Sequence, residues 1–288
     1  MLLGDAITSC LVAALLGSFV VLALRYVFYV AVFERIRLYL RRRGPGFEMY
    51  TPVVTEELWE GLGSTVLVAL GSAALWLGHN DRCHPGDTRG CLRGWPQQHV
   101  VGEGTPWTVD ALLLAQIAWY TQCTTKHWFG LGRLQGLDTA LHHAFSLCLL
   151  ALAYSLELHR VSLLAHWLFV VTNPLLSASK ILHCIDMRPR ALKKALFVFF
   201  VLAYFATRVI AVPVVLLPCT LYDAWTIPLD RRAAVVGNAL LVLLYGLSLF
   251  WFGRLLGILF TGKLDSTPRM ALVTAPRDSR GRKWHKQL

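Results

Sequence analysis

The 288-residue chain is 56% hydrophobic and 16% charged, with a mean hydropathy of +0.52. Soluble domains carry roughly 25% charged residues, so the composition excludes an ordinary soluble domain and indicates a membrane protein with short loops. The formal net charge of +11 falls largely in a few connecting segments, which makes it a signal of membrane topology rather than of nucleic-acid binding. The seven cysteines contain no CxxC pair, so no zinc or redox motif is expected.

Apolar stretches of about 20 residues, the length that a bilayer core requires, predict an all-α multi-pass fold, since backbone groups in lipid must be hydrogen-bonded within the segment. The first stretch lacks a basic leader and a small-residue cleavage site, so we expect a retained anchor helix rather than a cleaved signal peptide. The third stretch is the most polar. The seven predicted transmembrane helices cover residues 7–32, 58–78, 107–127, 139–157, 162–183, 192–218 and 234–261.

Lys and Arg residues in the connecting segments predict the orientation of these helices. With the N-terminus in the lumen, 18 of them lie on the cytosolic side and six on the lumenal side. Cytosolic loops carry the excess of positive charge, so the C-terminus is expected in the cytosol. Residues 263–288 are polar and basic without apolar periodicity, and we expect them to form a disordered tail.

The loop at residues 78–106 faces the lumen in this orientation and contains Cys83 and Cys91. The lumen of the endoplasmic reticulum permits disulfide bonds. Two alternatives therefore stay open for this loop: a Cys83–Cys91 bridge, or two reduced thiols.

Ionisable side chains at membrane depth normally face a cavity or the inside of a bundle, which makes His142 and His143 the leading candidates for chemistry. Adjacent helical residues point about 100° apart, so one ring would face the cavity and the other would support it. Asp138 lies one turn before His142 on the same face, where a carboxylate bonded to the imidazole makes it a better base or nucleophile. A structural interpretation is also open, in which Asp138 favours a helix N-terminus and the histidines are interfacial. Adjacent histidines without a third ligand do not predict a metal site.

Further polar residues lie in the fifth and sixth predicted spans. Lys180 either snorkels to the cytosolic interface or binds phosphate or carbonyl groups. Arg208 is too deep to snorkel easily, so an internal carboxylate or a substrate head group is its expected partner. Asn173-Pro174 is expected to break the fifth helix, because Pro174 removes one backbone donor and leaves a carbonyl that Asn173 or a neighbouring helix must satisfy.

A set of residues in the fourth to sixth spans keeps a fixed order: His142-His143, Tyr154, Arg160, Asn173, Lys180 and Thr207-Arg208. This set resembles the Lag1 motif of ceramide synthases, within the TLC (TRAM–Lag1–CLN8) domain. Arg133 and Asp138 resemble the basic and acidic residues that precede the family's histidine pair. The stretches at residues 55–59 and 94–98 are also similar to segments of ceramide synthases. The resemblance covers roughly residues 50–260.

The fifth span departs from the ceramide synthase pattern. Ceramide synthases have HisAsp, two residues, then Asp, whereas this sequence has Phe169, Val170 and Asn173 at those positions. The segment at residues 172–176 is more similar to other TLC proteins, which usually keep an acidic residue where Val170 stands.

The resemblance implies a six-helix barrel at residues 51–262 in the endoplasmic reticulum membrane, preceded by an anchor helix and a basic cytosolic segment at residues 1–50. It implies an acyl-CoA-dependent N-acyltransferase that acts on a sphingoid base in sphingolipid biosynthesis, with acyl-CoA as co-substrate and no permanently bound cofactor. His142 or His143 would be the nucleophile or base, supported by Asp138. Coenzyme A phosphates or the polar head group would be held by Lys180 and Arg208. The expected substrate-binding residues are Lys180, Arg208, Asn173, Tyr154 and Arg160.

The replaced acids favour a second hypothesis, a non-enzymatic TLC protein that binds or senses lipid or acts as a receptor for export from the endoplasmic reticulum. The retained histidine pair, Arg160 and Lys180 favour the enzyme. The lipid bilayer, acyl-CoA and a long-chain base are the expected partners of the enzyme, and no nucleic acid is expected. A homo-oligomer or an accessory subunit stays open.

Overall fold

Long helices dominate the structure, a computed structural model that describes residues 2–44, 46–76, 83–88, 90–95, 107–132, 136–185 and 190–261, with side chains from residue 12 onward. This confirms the prediction of an all-α chain. Short 3₁₀ turns follow α1, α3 and α8, and a π-helical segment, Phe205–Leu216, continues α7. The α-helices are α1 (Leu2–Arg43), α2 (Thr51–Trp76), α3 (Trp107–Thr125), α4 (Leu137–Ser155), α5 (His159–Val170), α6 (Asn173–Cys184), α7 (Arg190–Tyr204), α8 (Leu217–Leu221) and α9 (Arg231–Thr261).

Among the described residues, six helical segments are long and apolar enough to cross a membrane, so the protein is a multi-pass membrane protein, as predicted. The third predicted span forms α3, a helix of 19 residues that would reach about 28 Å. It is not among the six, because its sequence is more polar. The six candidate spans are Val12–Arg43, Phe47–Trp76, Leu137–Ser155, His159–Cys184, Arg190–Thr226 and Arg231–Thr261.

The fifth predicted span is interrupted at the position that the sequence indicates. Helix α5 ends at Val170 and α6 begins at Asn173, with Pro174 in the first turn of α6. Proline is tolerated there because the first N–H groups of a helix have no intrahelical acceptor. Pro213 lies inside the π-helical segment that follows α7, where it removes a second backbone donor.

The predicted anchor helix, α1, is packed against α2 and α3. Gly17 allows close approach, since a Cβ atom there would lie 2.8 Å from the Cβ of Ala118. Ala14 packs with Ile117 of α3. Helix α1 therefore contributes to the same buried interior as the helices that follow it.

The described part of the loop between α2 and α3, residues 83–88 and 90–95, packs on the bundle at the turn between α4 and α5, and we call this end the disulfide end. The structure joins Cys83 and Cys91 by a disulfide bond, the first of the two alternatives for this loop. Both cysteines are fully buried and pack with Val161 and Cys219. The loop also contacts the turn between α4 and α5, where the indole N–H of Trp95 donates to the carbonyl of Leu156 at 2.8 Å.

Candidate active site

The paired histidines lie inside the bundle. His142 is 7% exposed, and its ring centroid lies 5.0 Å from that of Trp251 on α9. The His143 ring lies 5.5 Å from the ring of Tyr120 on α3, and the two imidazoles are 5.8 Å apart. In the described part of the chain, neither Nδ1 atom has a hydrogen-bond partner. Both rings therefore keep a nitrogen for a ligand or a proton.

Asp138 does not bond to His142 as expected from their spacing. Its Oδ2 accepts a hydrogen bond of 2.8 Å from the indole N–H of Trp251, and Arg254 lies 3.5 Å from the same oxygen. The two residues do share a face of α4, but α9 supplies a better-placed donor to the carboxylate. Asp138 thus reaches His142 through the Trp251 ring, so it positions the imidazole by packing rather than by a direct hydrogen bond.

Arg208 lies in the π-helical segment and is 4% exposed. One Nη atom donates to the side-chain oxygen of Asn173 at 2.6 Å and to the carbonyl of Phe169. That carbonyl is near the end of α5, where the following turn no longer supplies all the N–H donors. The guanidinium also stacks 4.7 Å above the ring of Tyr204.

The partners of Arg208 differ from the expected carboxylate. Within the described residues Arg208 forms no salt bridge, and its Nε atom has no partner. In the described part of the chain, the buried Arg208 guanidinium is therefore held by dipoles and an aromatic ring, which suits an anionic or strongly polar ligand group.

Lys180 is not brought together with the histidine pair. Its Nζ lies 2.9 Å from Glu57 of α2, and the Ser177 hydroxyl donates to the other oxygen of Glu57 at 3.1 Å. The Lys180 side chain is 46% exposed. This ion pair joins α2 to α6, so the contacts of Lys180 are structural ones that the sequence reading did not identify.

A buried charge cluster between α1, α2 and α3 was missed by the sequence reasoning. Lys126 lies 2.5 Å from Glu56 and 3.1 Å from Glu60. Arg25 of α1 lies 3.3 Å from Glu56 and 3.1 Å from Glu60, and it also donates to Gln122 at 3.2 Å. Two cations and two carboxylates balance each other inside the bundle. The signal in the sequence was a charged residue inside an apolar span, together with two glutamates one helical turn apart.

An apolar cavity extends from the region of the histidines towards the disulfide end. The cavity volume is about 110 Å³, and the empty space is about 950 Å³ when the open mouth is included. Tyr120 and Ser146 line it near the histidines, whereas Leu92 and Leu158 line it near the disulfide end. The wall consists mainly of leucine, valine and alanine, which suits a hydrocarbon chain.

None of the expected catalytic residues lines this cavity, and neither do Lys180 and Arg208. Tyr120 provides the connection, because its ring contacts both imidazoles and also forms part of the cavity wall. Tyr154 packs on the ring of His159 at 5.4 Å, and the carbonyl of Arg160 lies 3.5 Å from Sγ of Cys83. These last two motif residues therefore lie at the disulfide end.

Some residues of the sequence interpretation lie outside the described part of the chain. They are Arg133, residues 96–98 of the stretch at 94–98, and the basic tail at 263–288.

Comparison with known proteins finds one matching family model and several distant relatives. A family model described as the TLC domain (TRAM, LAG1, CLN8) matches residues 54–257. Ceramide synthase 5 of Mus musculus is 28% identical over 165 residues, which are 57% of this chain and 38% of that protein. Ceramide synthase 4 of Homo sapiens is 27% identical over 152 residues, or 51% of this chain and 37% of that protein. Ceramide synthase 4 of Bos taurus is 27% identical over 175 residues, or 59% of this chain and 42% of that protein. The matched part of the chain thus spans about two-fifths of the length of these curated relatives.

Proposed function

Because the chain belongs to the TLC domain family, we propose that it is an acyl-CoA-dependent N-acyltransferase that acts on a sphingoid base. The observation that carries this proposal is the buried pair His142-His143, whose rings meet Tyr120 at the inner end of an apolar cavity. An acyltransferase for lipids needs an activated nucleophile or base next to a space that accepts a hydrocarbon chain. The distant similarity to ceramide synthases supports the same substrate class.

Imidazole is suited to both halves of this transfer, because it is nucleophilic when neutral and leaves well once protonated. In the first half, the unprotonated nitrogen of one histidine attacks the thioester carbonyl, the C–S bond breaks, and the leaving coenzyme A thiolate takes the proton that the acylated imidazole loses. In the second half, the amine of the base attacks the acyl-imidazole, the amide bond forms as the bond between the acyl carbon and the imidazole nitrogen breaks, and the imidazole is released. The other histidine accepts the proton that the amine loses and passes it to the released imidazole, so both histidines return to their starting state.

Arg208 would stabilise the negative charge that develops on the carbonyl oxygen, or hold a polar group of the substrate. Its guanidinium is desolvated and fixed by Asn173 and the Phe169 carbonyl, so little reorganisation is needed when a negative charge forms. On this proposal, Asn173 takes a role different from that of the family acid at its position: it orients Arg208. Trp251 and Asp138 would position the His142 ring.

We further propose that α2 to α9 form a six-helix barrel, with α3 as a full span, in the endoplasmic reticulum membrane. The N-terminus would be lumenal and the C-terminus cytosolic. The distribution of Lys and Arg and the disulfide in the loop between α2 and α3 support this orientation. In this orientation α4 begins on the cytosolic side, where acyl-CoA is available, with the histidine pair in its second turn.

A second candidate function is a lipid-binding or lipid-sensing TLC protein without catalysis. The observations that favour it are Val170 and Asn173 in place of the family acids, and the absence of a hydrogen bond between His142 and Asp138 among the described contacts. A cavity with a mostly apolar wall suits a bound lipid equally well.

Acylation by the purified protein separates the two functions. A panel of acyl-CoAs and sphingoid bases is offered to the wild type and to His142→Ala, His143→Ala and His127→Ala. His127 is exposed, lies in the 3₁₀ turn after α3 and serves as the matched control. We expect product from the wild type and the control, and none from the other two variants at unchanged expression.

Full activity in both His142→Ala and His143→Ala would refute the catalytic role of the pair. A wild-type protein that binds lipid in the cavity but yields no product with any pair of substrates would favour the second candidate.

A further inference from the structure

Gln116 is a fully buried amide in the wall of the apolar cavity. It lies in the middle of α3 with 0% of its surface exposed. In the described part of the chain, neither its Nε2 nor its Oε1 has a hydrogen-bond partner. A buried polar group without a partner is destabilising, and most such groups in folded proteins are paired or meet a ligand or water.

The second buried glutamine of α3 shows that this state is not a general property of the helix. Gln122 is also 0% exposed, but its Oε1 accepts a hydrogen bond of 3.2 Å from Arg25. Its Nε2 lies 3.0 Å from the sulfur of Cys123. Of these two buried amides on one helix, Gln122 is satisfied by protein groups and Gln116 is not.

Gln116 belongs to a small polar patch in the cavity. Tyr120 lies four residues further along α3, hence one turn away on the same face, and Ser146 is a buried residue of the neighbouring helix α4. All three residues line the cavity, whose wall is mainly apolar and also includes Ser162, His166, Thr220 and Asn238. The patch is therefore a polar interruption in an apolar wall, about one helical turn from the histidines.

We propose that Gln116 is a specificity-determining residue that binds a hydroxyl group carried by the lipid in this cavity. A hydroxyl can donate to Oε1 or accept from Nε2, so an amide can bind it from either side. A charged group is disfavoured, because no Asp, Glu, Lys or Arg is among the described residues that line the cavity. The position of Gln116 places the hydroxyl near the reacting end of the lipid rather than at the tail.

The hydroxyl can be carried by the acyl chain or by the long-chain base, and both present the same chemistry to the amide. The lipid classes rest on the proposed function, but recognition of the hydroxyl does not require catalysis. Binding is therefore measured separately from turnover.

The experiment compares matched lipids with the full-length protein in detergent. One arm uses hexadecanoic acid against 2-hydroxyhexadecanoic acid, and the other uses sphinganine against 4-hydroxysphinganine, each in competition with a fluorescent lipid. We expect the hydroxylated lipid to bind about 3- to 10-fold more tightly in one arm, the range of one hydrogen bond. The arm that shows the preference identifies the source of the hydroxyl.

Gln116→Leu replaces the amide by an apolar side chain of similar size, and we expect the binding ratio to fall to about 1 while the unsubstituted lipid still binds. Gln116→Met is the second variant to be used if the Gln116→Leu protein does not fold. Gln122→Leu is the matched control, which should keep the wild-type ratio while lowering stability, since Arg25 loses an acceptor.

Equal binding of both lipids in both arms by the wild type would overturn the proposal. This is the result expected if water, rather than a lipid hydroxyl, satisfies the Gln116 amide. A wild-type ratio in Gln116→Leu would also overturn it. A protein that prefers the hydroxylated lipid and yields no acylated product would leave the Gln116 assignment in place and refute the acyltransferase.

Discussion

Removal of Arg25 tests whether the charge cluster between α1, α2 and α3 stabilises the bundle. In Arg25→Met, Glu56 and Glu60 both lose the ion pair with Arg25 while the pairs with Lys126 stay, so the buried cluster becomes one unit more negative. The Arg25 and Lys126 side chains are 5% and 2% exposed, which leaves little water to screen the excess charge. Removing one partner of a buried ion pair costs about 3–5 kcal/mol, much of it the uncompensated charge that stays behind.

The matched control is Arg37→Met on the same helix. Arg37 pairs with Glu34 at 2.8 Å, but their side chains are 40% and 57% exposed, and such surface pairs contribute about 0–1 kcal/mol. The assay is thermal unfolding of the purified protein in detergent. At about 2–4 °C per kcal/mol for a chain of this size, we expect Arg25→Met to lower the Tm by about 6–20 °C and the control by no more than about 4 °C.

A double variant separates the charge from the packing of the arginine stem. In Arg25→Met/Glu60→Gln, one cation and one carboxylate are removed together, so the cluster has the same net charge as in the wild type. We expect this variant to recover a large part of the lost Tm, because coupled groups are not additive. Glu60→Gln alone is measured as well. The reasoning would be refuted if Arg25→Met lowered the Tm no more than Arg37→Met does. It would also be refuted if the Tm loss of the double variant equalled the sum of the losses of Arg25→Met and Glu60→Gln.

Three further predictions follow from the structure. Asp138→Asn keeps an acceptor for the indole of Trp251, whereas Trp251→Ala removes the ring beside His142. We therefore expect Asp138→Asn to lower the kcat of acylation less than tenfold, and less than Trp251→Ala does. A loss of about 10²–10⁴-fold for Asp138→Asn would instead indicate direct acid–base support of the imidazole. Peptide mass mapping under non-reducing conditions should recover Cys83 linked to Cys91 from unstressed membranes, and two free thiols would contradict the disulfide. Glycosylation sites inserted at 85–100 should be modified and those after 270 should not, and the reverse pattern would contradict the proposed orientation.

Features that depend on neighbours along the chain were predictable from the sequence. The membrane spans follow from runs of apolar residues, because the bilayer imposes a length and a helical backbone on each segment by itself. The break before Pro174 follows from the missing N–H of proline. The pairing of Cys83 with Cys91 was one of two alternatives because both lie in one short loop.

The partners of charged residues were decided by the tertiary structure. The sequence placed Asp138 on the same face as His142, but the helix that supplies Trp251 begins almost a hundred residues later. Lys180 was weighed as a ligand of phosphate, and the adjoining α2 provides Glu57 instead. Arg25 lies inside the first predicted span, at residues 7–32, and its partners Glu56 and Glu60 come from α2, which packs beside α1. Helical periodicity fixes the face on which a side chain lies, whereas the group it meets depends on which helices pack together, and that is set by contacts between residues far apart in the chain.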